Sequence, residues 1–199
     1  WEYKRVVPRG YTRLLGKIAE LTDRGIPVHF FTGNHDLWIR DYLTEETGVI
    51  LHKKPIIKEF GGRKFYLAHG DGLGDGDYGY KVLKWIFTNK LLQWLFSRLH
   101  PNFSMWFGNR WSVSNRSKKG MAEEFQGEEK ELLVQFAKKK AENLDVDYFI
   151  FGHRHIPLDM QINDTTRMIN LGDWLVNYTY AVFDGEDVVL KKYSTDQYY

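Results

Sequence analysis

Three apolar runs in this sequence each end in a glycine-marked turn that carries an imidazole or a carboxamide. They read "IPVHFFTGNHD" at 26–36, "KFYLAHGD" at 64–71 and "DYFIFGHRH" at 147–155. Their β-branched and aromatic residues predict buried strands. In open α/β sheets, ligand sites gather beyond the carboxyl ends of the strands. We therefore expect the polar side chains at these strand ends to meet at one edge of a sheet. They are Asn34, His69, His153 and His155.

The remaining pattern predicts the fold class. Apolar residues recur at helical spacing in residues 8–24, and residues 36–48 and 121–143 also predict helices. Two strands are expected around Gly61-Gly62, and antiparallel hairpins are expected in the tail, where Asp184-Gly185 marks a turn. Alternating helices and strands followed by further strands indicate an α/β fold in which one sheet packs on another.

Composition restricts the kinds of site that the chain can hold. It contains no cysteine, so any metal must be held by nitrogen and oxygen ligands, and disulfides are excluded. The net charge of +2 is too small to indicate nucleic acid as a partner. No uncharged run approaches the roughly 20 residues of a membrane span, and the first ten residues lack the apolar core of a signal peptide.

Residues 78–120 interrupt the pattern with a segment rich in aromatic and aliphatic side chains, which occupy more than one helical face. One interpretation is a pair of core helices. The other is a lid whose surplus apolar surface meets acyl chains or a membrane face. Either way we expect a single domain over residues 1–199, with a helical insertion at about 78–120.

A strand-end histidine taken alone is more often structural than functional, but the three motifs together are specific. "GNHD", "HGD" and "GHRH", in this order, resemble the calcineurin-like metallophosphoesterase superfamily. The run "HGDGLGDGDYGYK", the aromatic insertion, "SNRSKK" and "INLGDW" resemble the UDP-2,3-diacylglucosamine pyrophosphohydrolases of lipid A biosynthesis. The resemblance covers essentially the whole chain. It implies an αββα sandwich whose N-terminal strands are missing from this chain.

The resemblance also implies two divalent metals, commonly Mn²⁺. Asn34, His69 and His153 would bind one metal and His155 the other. His35 would lie beside the scissile phosphate, as a general acid or as a donor to the charge that develops there. Asp36 would either orient His35 or cap the following helix.

The family pattern opens with an upstream D-x-H and a G-D, which supply further metal ligands. Neither motif precedes "GNHD" here. The chain also begins "WEYKRVV" without an initiator methionine. We therefore expect it to be the C-terminal portion of a longer enzyme, and to hold only about half of the site by itself.

The implied reaction is hydrolysis of the pyrophosphate of UDP-2,3-diacylglucosamine to UMP and 2,3-diacylglucosamine 1-phosphate. Its nucleotide-lipid substrate would be contacted by Asp77, Tyr80, Arg110, Asn115 and Arg116. Trp85, Phe87, Leu92, Trp94, Leu95, Trp106 and Phe107 are candidates for an acyl pocket. The implied location is cytoplasmic and peripheral on the inner membrane, with the lid on the membrane surface; the oligomeric state is unknown.

Two alternatives stay open at this stage. The first is another calcineurin-like phosphodiesterase or phosphatase that acts on small nucleotides or phosphodiesters, with the insertion as a plain structural cap. The second is a non-catalytic lipid- or membrane-binding module on the same scaffold.

Overall fold

The structure, a computed structural model, describes residues 7, 9–73, 78–108, 110 and 124–194. They belong to two compact units. The first unit combines residues 1–54 with 78–118, and the second unit combines residues 55–77 with 119–199. The expected single domain over 1–199 stays a prediction.

The first unit is mainly helical. Its elements are α1 (Thr12–Asp23), β1 (His29–Phe31), α2 (Tyr42–Thr47), β2 (Ile50–His52), α3 (Tyr78–Thr88), α4 (Lys90–Phe96) and α5 (101–108). Strands β1 and β2 pair in parallel, with His29 opposite Ile50. The hydroxyl of Thr22 donates to the carbonyl of Thr47 at 2.6 Å and so ties α1 to α2.

The predicted helix over 36–48 is wrong at its start, and Asp36 is not its cap. Helix α2 begins at Tyr42. Asp36 instead closes a turn on Gly33: its N–H donates to the Gly33 carbonyl at 3.0 Å, and its carboxylate accepts from the Gly33 N–H at 3.4 Å. The end was predicted well, because Gly48 follows α2 with φ = +69°, a conformation that favours glycine.

The second unit contains most of the sheet structure. Its elements are β3 (Ile56–Phe60), β4 (Arg63–Ala68), α6 (Leu132–Ala141), β5 (Tyr148–Phe151), β6 (Pro157–Gln161), β7 (Arg167–Leu171), β8 (Thr179–Phe183) and β9 (Val188–Lys192). The first five of these strands form one sheet in the order β3-β4-β5-β7-β6. Strands β4, β5 and β7 are parallel neighbours, and β3 and β6 pair antiparallel at the two edges. This mixed α/β arrangement confirms the predicted class.

The five-stranded sheet has a core on each face. On one face, Val134 and Ala137 of α6 are fully buried with Phe149, Phe151 and Met168. On the other face, residues of the β8–β9 hairpin pack on a second cluster of Phe65, Tyr148, Ile169 and Val188. The second unit thus places a sheet between a helix and a further pair of strands. The complete αββα sandwich stays a prediction.

The predicted helix over 121–143 is too long. From residue 124 onward, helical structure covers only Leu132–Ala141. Gly127 has φ = +97° and its carbonyl accepts from the N–H of Glu131 at 3.2 Å, so a turn precedes the helix. Left-handed backbone at glycine is incompatible with a continuous helix through this point.

The described part of the insertion exposes large apolar side chains. Trp85 is 66% exposed, Trp94 is 50% exposed and Trp106 is 55% exposed. The described insertion therefore leaves large apolar side chains uncovered, and the lid stays a prediction. None of the helices in the described ranges is long and apolar enough to cross a membrane.

Candidate active site

The carboxyl ends of β4 and β5 bring two of the predicted histidines together. The strands are parallel neighbours, and their last residues, Ala68 and Phe151, lie opposite each other. Beyond them, the N–H of Gly152 donates to the carbonyl of His69 at 3.0 Å. The rings of His69 and His153 then meet edge to face, with centroids 5.3 Å apart. The sheet topology therefore converts two distant motifs into one imidazole pair.

Backbone conformation at this pair is unusual. Gly70 has φ = +114°, and a Cβ atom at this position would lie 3.1 Å from Cβ of His153. Glycine is favoured at this position, because the backbone angle is left-handed and a Cβ atom would press on His153. His153 itself has φ = +62°, a left-handed conformation that costs a non-glycine residue on the order of 1–2 kcal/mol. Strain of this kind concentrates at functional sites.

Two carboxylates with little exposed side-chain surface, 9% for Asp71 and 8% for Asp173, lie behind the imidazoles. Asp71 Oδ1 is 2.9 Å from Nδ1 of His69. Asp173 Oδ2 is 3.9 Å from Nδ1 of His155. A carboxylate within hydrogen-bond distance, as Asp71 is, fixes the tautomer and orientation of a metal-binding histidine, whereas the 3.9 Å contact at His155 is too long for a hydrogen bond. The pairing at His69 assigns Nδ1 to the carboxylate and leaves Nε2 as the nitrogen that can face a cation.

Asp173 also organises the turn that follows β7. Its Oδ1 accepts from the N–H groups of Leu175, Val176 and Asn177 at 2.7, 2.6 and 3.1 Å. Burial raises the pKa of the Asp173 carboxyl, but these N–H donors outweigh burial and hold the pKa below its ordinary value. Asp173 is therefore a carboxylate at neutral pH.

The arginine between the two histidines of "GHRH" joins α6 to the site. Arg154 Nη2 donates to Oε1 of Glu131 at 3.0 Å, and Glu131 is buried. A cavity of about 140 Å³ lies beside this pair and is lined by Gly70, Leu73, Glu131, Leu133, His153 and Arg154, among others. The ion pair anchors the histidine-bearing loop to the start of the helix.

Comparison with known proteins identifies the family of this chain. The sequence profile of the calcineurin-like phosphoesterases matches residues 6–157. The chain belongs to the calcineurin-like phosphoesterase family. Members of this family use divalent metals, and the assignment supports a metal-dependent hydrolase.

Relatives of this calcineurin-like chain carry a more specific name. A UDP-2,3-diacylglucosamine hydrolase of Porphyromonas gingivalis is 39% identical, over 96% of this chain and 78% of its own length. A UDP-2,3-diacylglucosamine hydrolase of Aeromonas hydrophila is 28% identical, over 78% of this chain and 65% of its own length. A Thermotoga maritima protein solved by solution NMR is 17% identical over 90% of this chain and 74% of its own length. Its TM-score of 0.38 is too low to indicate a shared fold.

The residues of this calcineurin-like chain fit part of the metal chemistry that the family implies. His69 and His153 offer two nearby imidazole nitrogens, which suit Mn²⁺, Zn²⁺ or Fe²⁺. Within the described ranges, no group of three or more histidine, aspartate or glutamate residues gathers closely enough to hold a metal ion. The imidazole pair is therefore the portion of the predicted ligand set that the structure assembles.

The other predicted residues fall into two groups. Asn34 and His35 belong to the first unit, in the turn after β1, where Asn34 is half-buried and His35 is exposed; their roles stay predictions. Among the substrate candidates, Arg110 is exposed, with its guanidinium 5.8 Å from the ring of Trp106. Asp77, Asn115, Arg116 and the side chain of Tyr80 lie outside the described residues.

Proposed function

We propose that this protein hydrolyses the pyrophosphate of UDP-2,3-diacylglucosamine, releasing UMP and 2,3-diacylglucosamine 1-phosphate. The observation that carries this proposal is the carboxylate-supported imidazole pair of His69 and His153 at adjacent strand ends, in a calcineurin-like chain. The name of the Porphyromonas gingivalis relative, at 39% identity, supports this substrate. The UMP and sugar phosphate products follow from cleavage between the two phosphorus atoms.

The chain's own residues would contribute binding and orientation. A pair of divalent cations, Mn²⁺ in this proposal, supplies a water of lowered pKa and neutralises phosphate charge when bound. His69, with Asp71 behind it, and His153 would hold one cation together with Asn34, and His155, with Asp173 behind it, would serve the other. His35 would donate to the phosphate oxygen on which charge develops. These roles follow the family pattern residue by residue.

The helical insertion suits a substrate with an anionic head and two acyl chains. In the turn after α4, the Arg98 guanidinium lies 4.7 Å from the ring of the half-exposed Trp94 of that helix. Arg110 and Trp106 repeat the combination. A cation beside an exposed indole matches the boundary between phosphate groups and hydrocarbon. We assign this surface to acyl chains and to peripheral contact with a membrane, and Asp77, Tyr80, Arg110, Asn115 and Arg116 to the head group.

The test is a hydrolysis assay of the full-length protein with Mn²⁺ on UDP-2,3-diacylglucosamine and, in parallel, on bis-p-nitrophenyl phosphate. We expect turnover of the lipid substrate. His69→Ala should remove turnover and bound metal together, whereas His100→Ala, in the connection between α4 and α5, should change neither. Retained metal and turnover in His69→Ala would exclude His69 as a ligand.

The two alternatives give different outcomes in the same assay. Activity on the small ester alone would refute the lipid substrate and indicate a general phosphodiesterase. Binding to lipid vesicles without turnover of either substrate would indicate a non-catalytic lipid-binding module.

A further inference from the structure

The loop that carries His153 and His155 crosses over the end of a strand. Residues 152–156 connect β5 to β6, and both strands pair with β7, which lies between them. Asn170 on β7 is opposite Phe151 of β5 and Leu158 of β6. It is therefore placed directly beneath the crossing, at the carboxyl end of its strand.

The Asn170 carboxamide binds the loop on both sides of His155. Its Nδ2 donates to the carbonyl of Arg154 at 2.5 Å and to the carbonyl of Ile156 at 2.6 Å. The side chain is buried, since the residue is only 2% exposed. The two bonds fix the amide orientation, because a flipped amide would place Oδ1 against two carbonyl oxygens.

The other half of the same amide has no donor among the described residues. Oδ1 of Asn170 is buried and accepts no hydrogen bond from any residue in the described ranges. An unsatisfied buried acceptor is costly, so its presence in a folded protein calls for an explanation. Retention of the carboxamide is explained if the two donated bonds serve the site.

A second carboxamide holds the carbonyl between these two. Asn177 Nδ2 donates to the carbonyl of His155 at 2.6 Å and to Oδ2 of Asp173 at 3.1 Å. Three consecutive carbonyls of the loop, at 154, 155 and 156, are thus held by two amide side chains. The same Asp173 oxygen lies 3.9 Å from Nδ1 of His155, so the amide that holds the His155 carbonyl also binds the carboxylate beside the His155 ring.

We propose that Asn170 and Asn177 are positioning residues that fix His155 in the orientation required to bind a divalent cation. The proposal rests on the proposed function only in requiring a metal at His155, and it holds for any phosphoester substrate. Neither residue is assigned contact with the substrate or the metal. Their effect is to order the loop before the metal binds, because without these hydrogen bonds the loop could turn the His155 imidazole away from the site.

The test compares Asn170→Ala with Asn163→Ala in the full-length protein stripped of metal. Asn163 is the matched control, because its Oδ1 accepts from the N–H groups of Thr165 and Thr166 in the β6–β7 turn, away from the crossing loop. Both variants should melt at lower temperature. Titration calorimetry with Mn²⁺ should show binding weakened about tenfold or more by Asn170→Ala and unchanged by Asn163→Ala.

A second readout needs neither metal nor activity. In histidine-labelled, metal-free protein, the His155 ring signals should broaden or split in Asn170→Ala and stay sharp in Asn163→Ala. Equal Mn²⁺ affinity in the two variants would overturn the proposal. Absence of Mn²⁺ binding by the wild-type protein would also overturn it. If Asn170→Ala does not fold, Asn177→Ala takes its place: weakened Mn²⁺ binding would support the proposal, and unchanged binding would overturn it.

The two proposals fail in different experiments. If the wild-type protein binds Mn²⁺ but does not hydrolyse UDP-2,3-diacylglucosamine, the proposed substrate is refuted. The roles of Asn170 and Asn177 would then still be decided by the Mn²⁺ isotherms.

Discussion

Replacing Gly70 by alanine should weaken metal binding, because the new methyl group would press on His153. A Cβ atom at position 70 would lie 3.1 Å from Cβ of His153 and 3.3 Å from Cδ1 of Leu133. At these distances His153 or Leu133 must move by a few tenths of an ångström to make room for the methyl group. Leu133 is buried in the core with α6, so most of the movement falls on His153.

The expected magnitude has two parts. Left-handed backbone at φ = +114° costs an alanine of order 1–3 kcal/mol. At about 2 kcal/mol, the melting temperature of a chain of this size falls by roughly 4–8 °C. Displacing His153 adds a functional cost, since disturbing the support of a metal ligand typically reduces metal affinity by about 10- to 100-fold.

Gly185→Ala is the matched control. Gly185 has nearly the same backbone angle, φ = +109°, but within the described residues no atom lies within 4 Å of its Cβ position. It should lower the melting temperature through backbone strain alone and leave metal affinity unchanged. Thermal unfolding and Mn²⁺ calorimetry on both variants separate the two effects. Equal Mn²⁺ affinity in Gly70→Ala and Gly185→Ala would refute the reasoning.

Two further predictions concern the helical insertion and the sheet. Trp94→Ser should raise KM for the diacylated substrate roughly tenfold by removing apolar contact, and should leave KM for bis-p-nitrophenyl phosphate unchanged; equal effects on both would make Trp94 structural. Burial raises the pKa of Asp147, but the Lys64 N–H and the Arg63 guanidinium outweigh burial and hold the pKa below its ordinary 3.8. Its stabilisation is therefore present above that value and lost as pH falls through the lower folded pKa. Asp147→Asn should cost about 1 kcal/mol, a few degrees in melting temperature, at pH 7 and progressively less below pH 4. An undiminished difference at pH 3 would contradict this assignment.

The strands and turns were predictable where local chemistry decides them. Gly61 and Gly62 have φ values of +55° and +78°, as a two-residue hairpin turn requires, and β3 and β4 pair around them. Helix starts were less predictable. Aspartate is a common helix N-cap, which is why Asp36 was predicted to be one. Its carboxylate instead accepts from the Gly33 N–H, and this hydrogen bond closes a turn before the helix.

The candidate site was predictable as far as strand ends decide it. His69 and His153 meet because β4 and β5 are parallel neighbours. The residues behind the imidazoles were not predicted. Asp71 had a local signal, since it follows His69 by two positions in "HGD". Asn170 had none, because the carbonyls that it binds lie 14 and 16 positions away along the chain and are brought near only by the strand order.

The crossing loop over β7 has a consequence for how this protein can vary. Its five residues, 152–156, bridge two interstrand spacings, a distance of roughly 10 Å, although a fully extended five-residue segment reaches roughly 17 Å. The extra length accommodates the left-handed turn at His153 and the three carbonyls that the two amide side chains hold. Adding or deleting one residue here would shift His155 and the carbonyls at 154–156 away from the side chains of Asn170 and Asn177 that bind this loop. In related chains, the length of this bridge should therefore stay constant while the β6–β7 hairpin at 162–166 gains and loses residues freely.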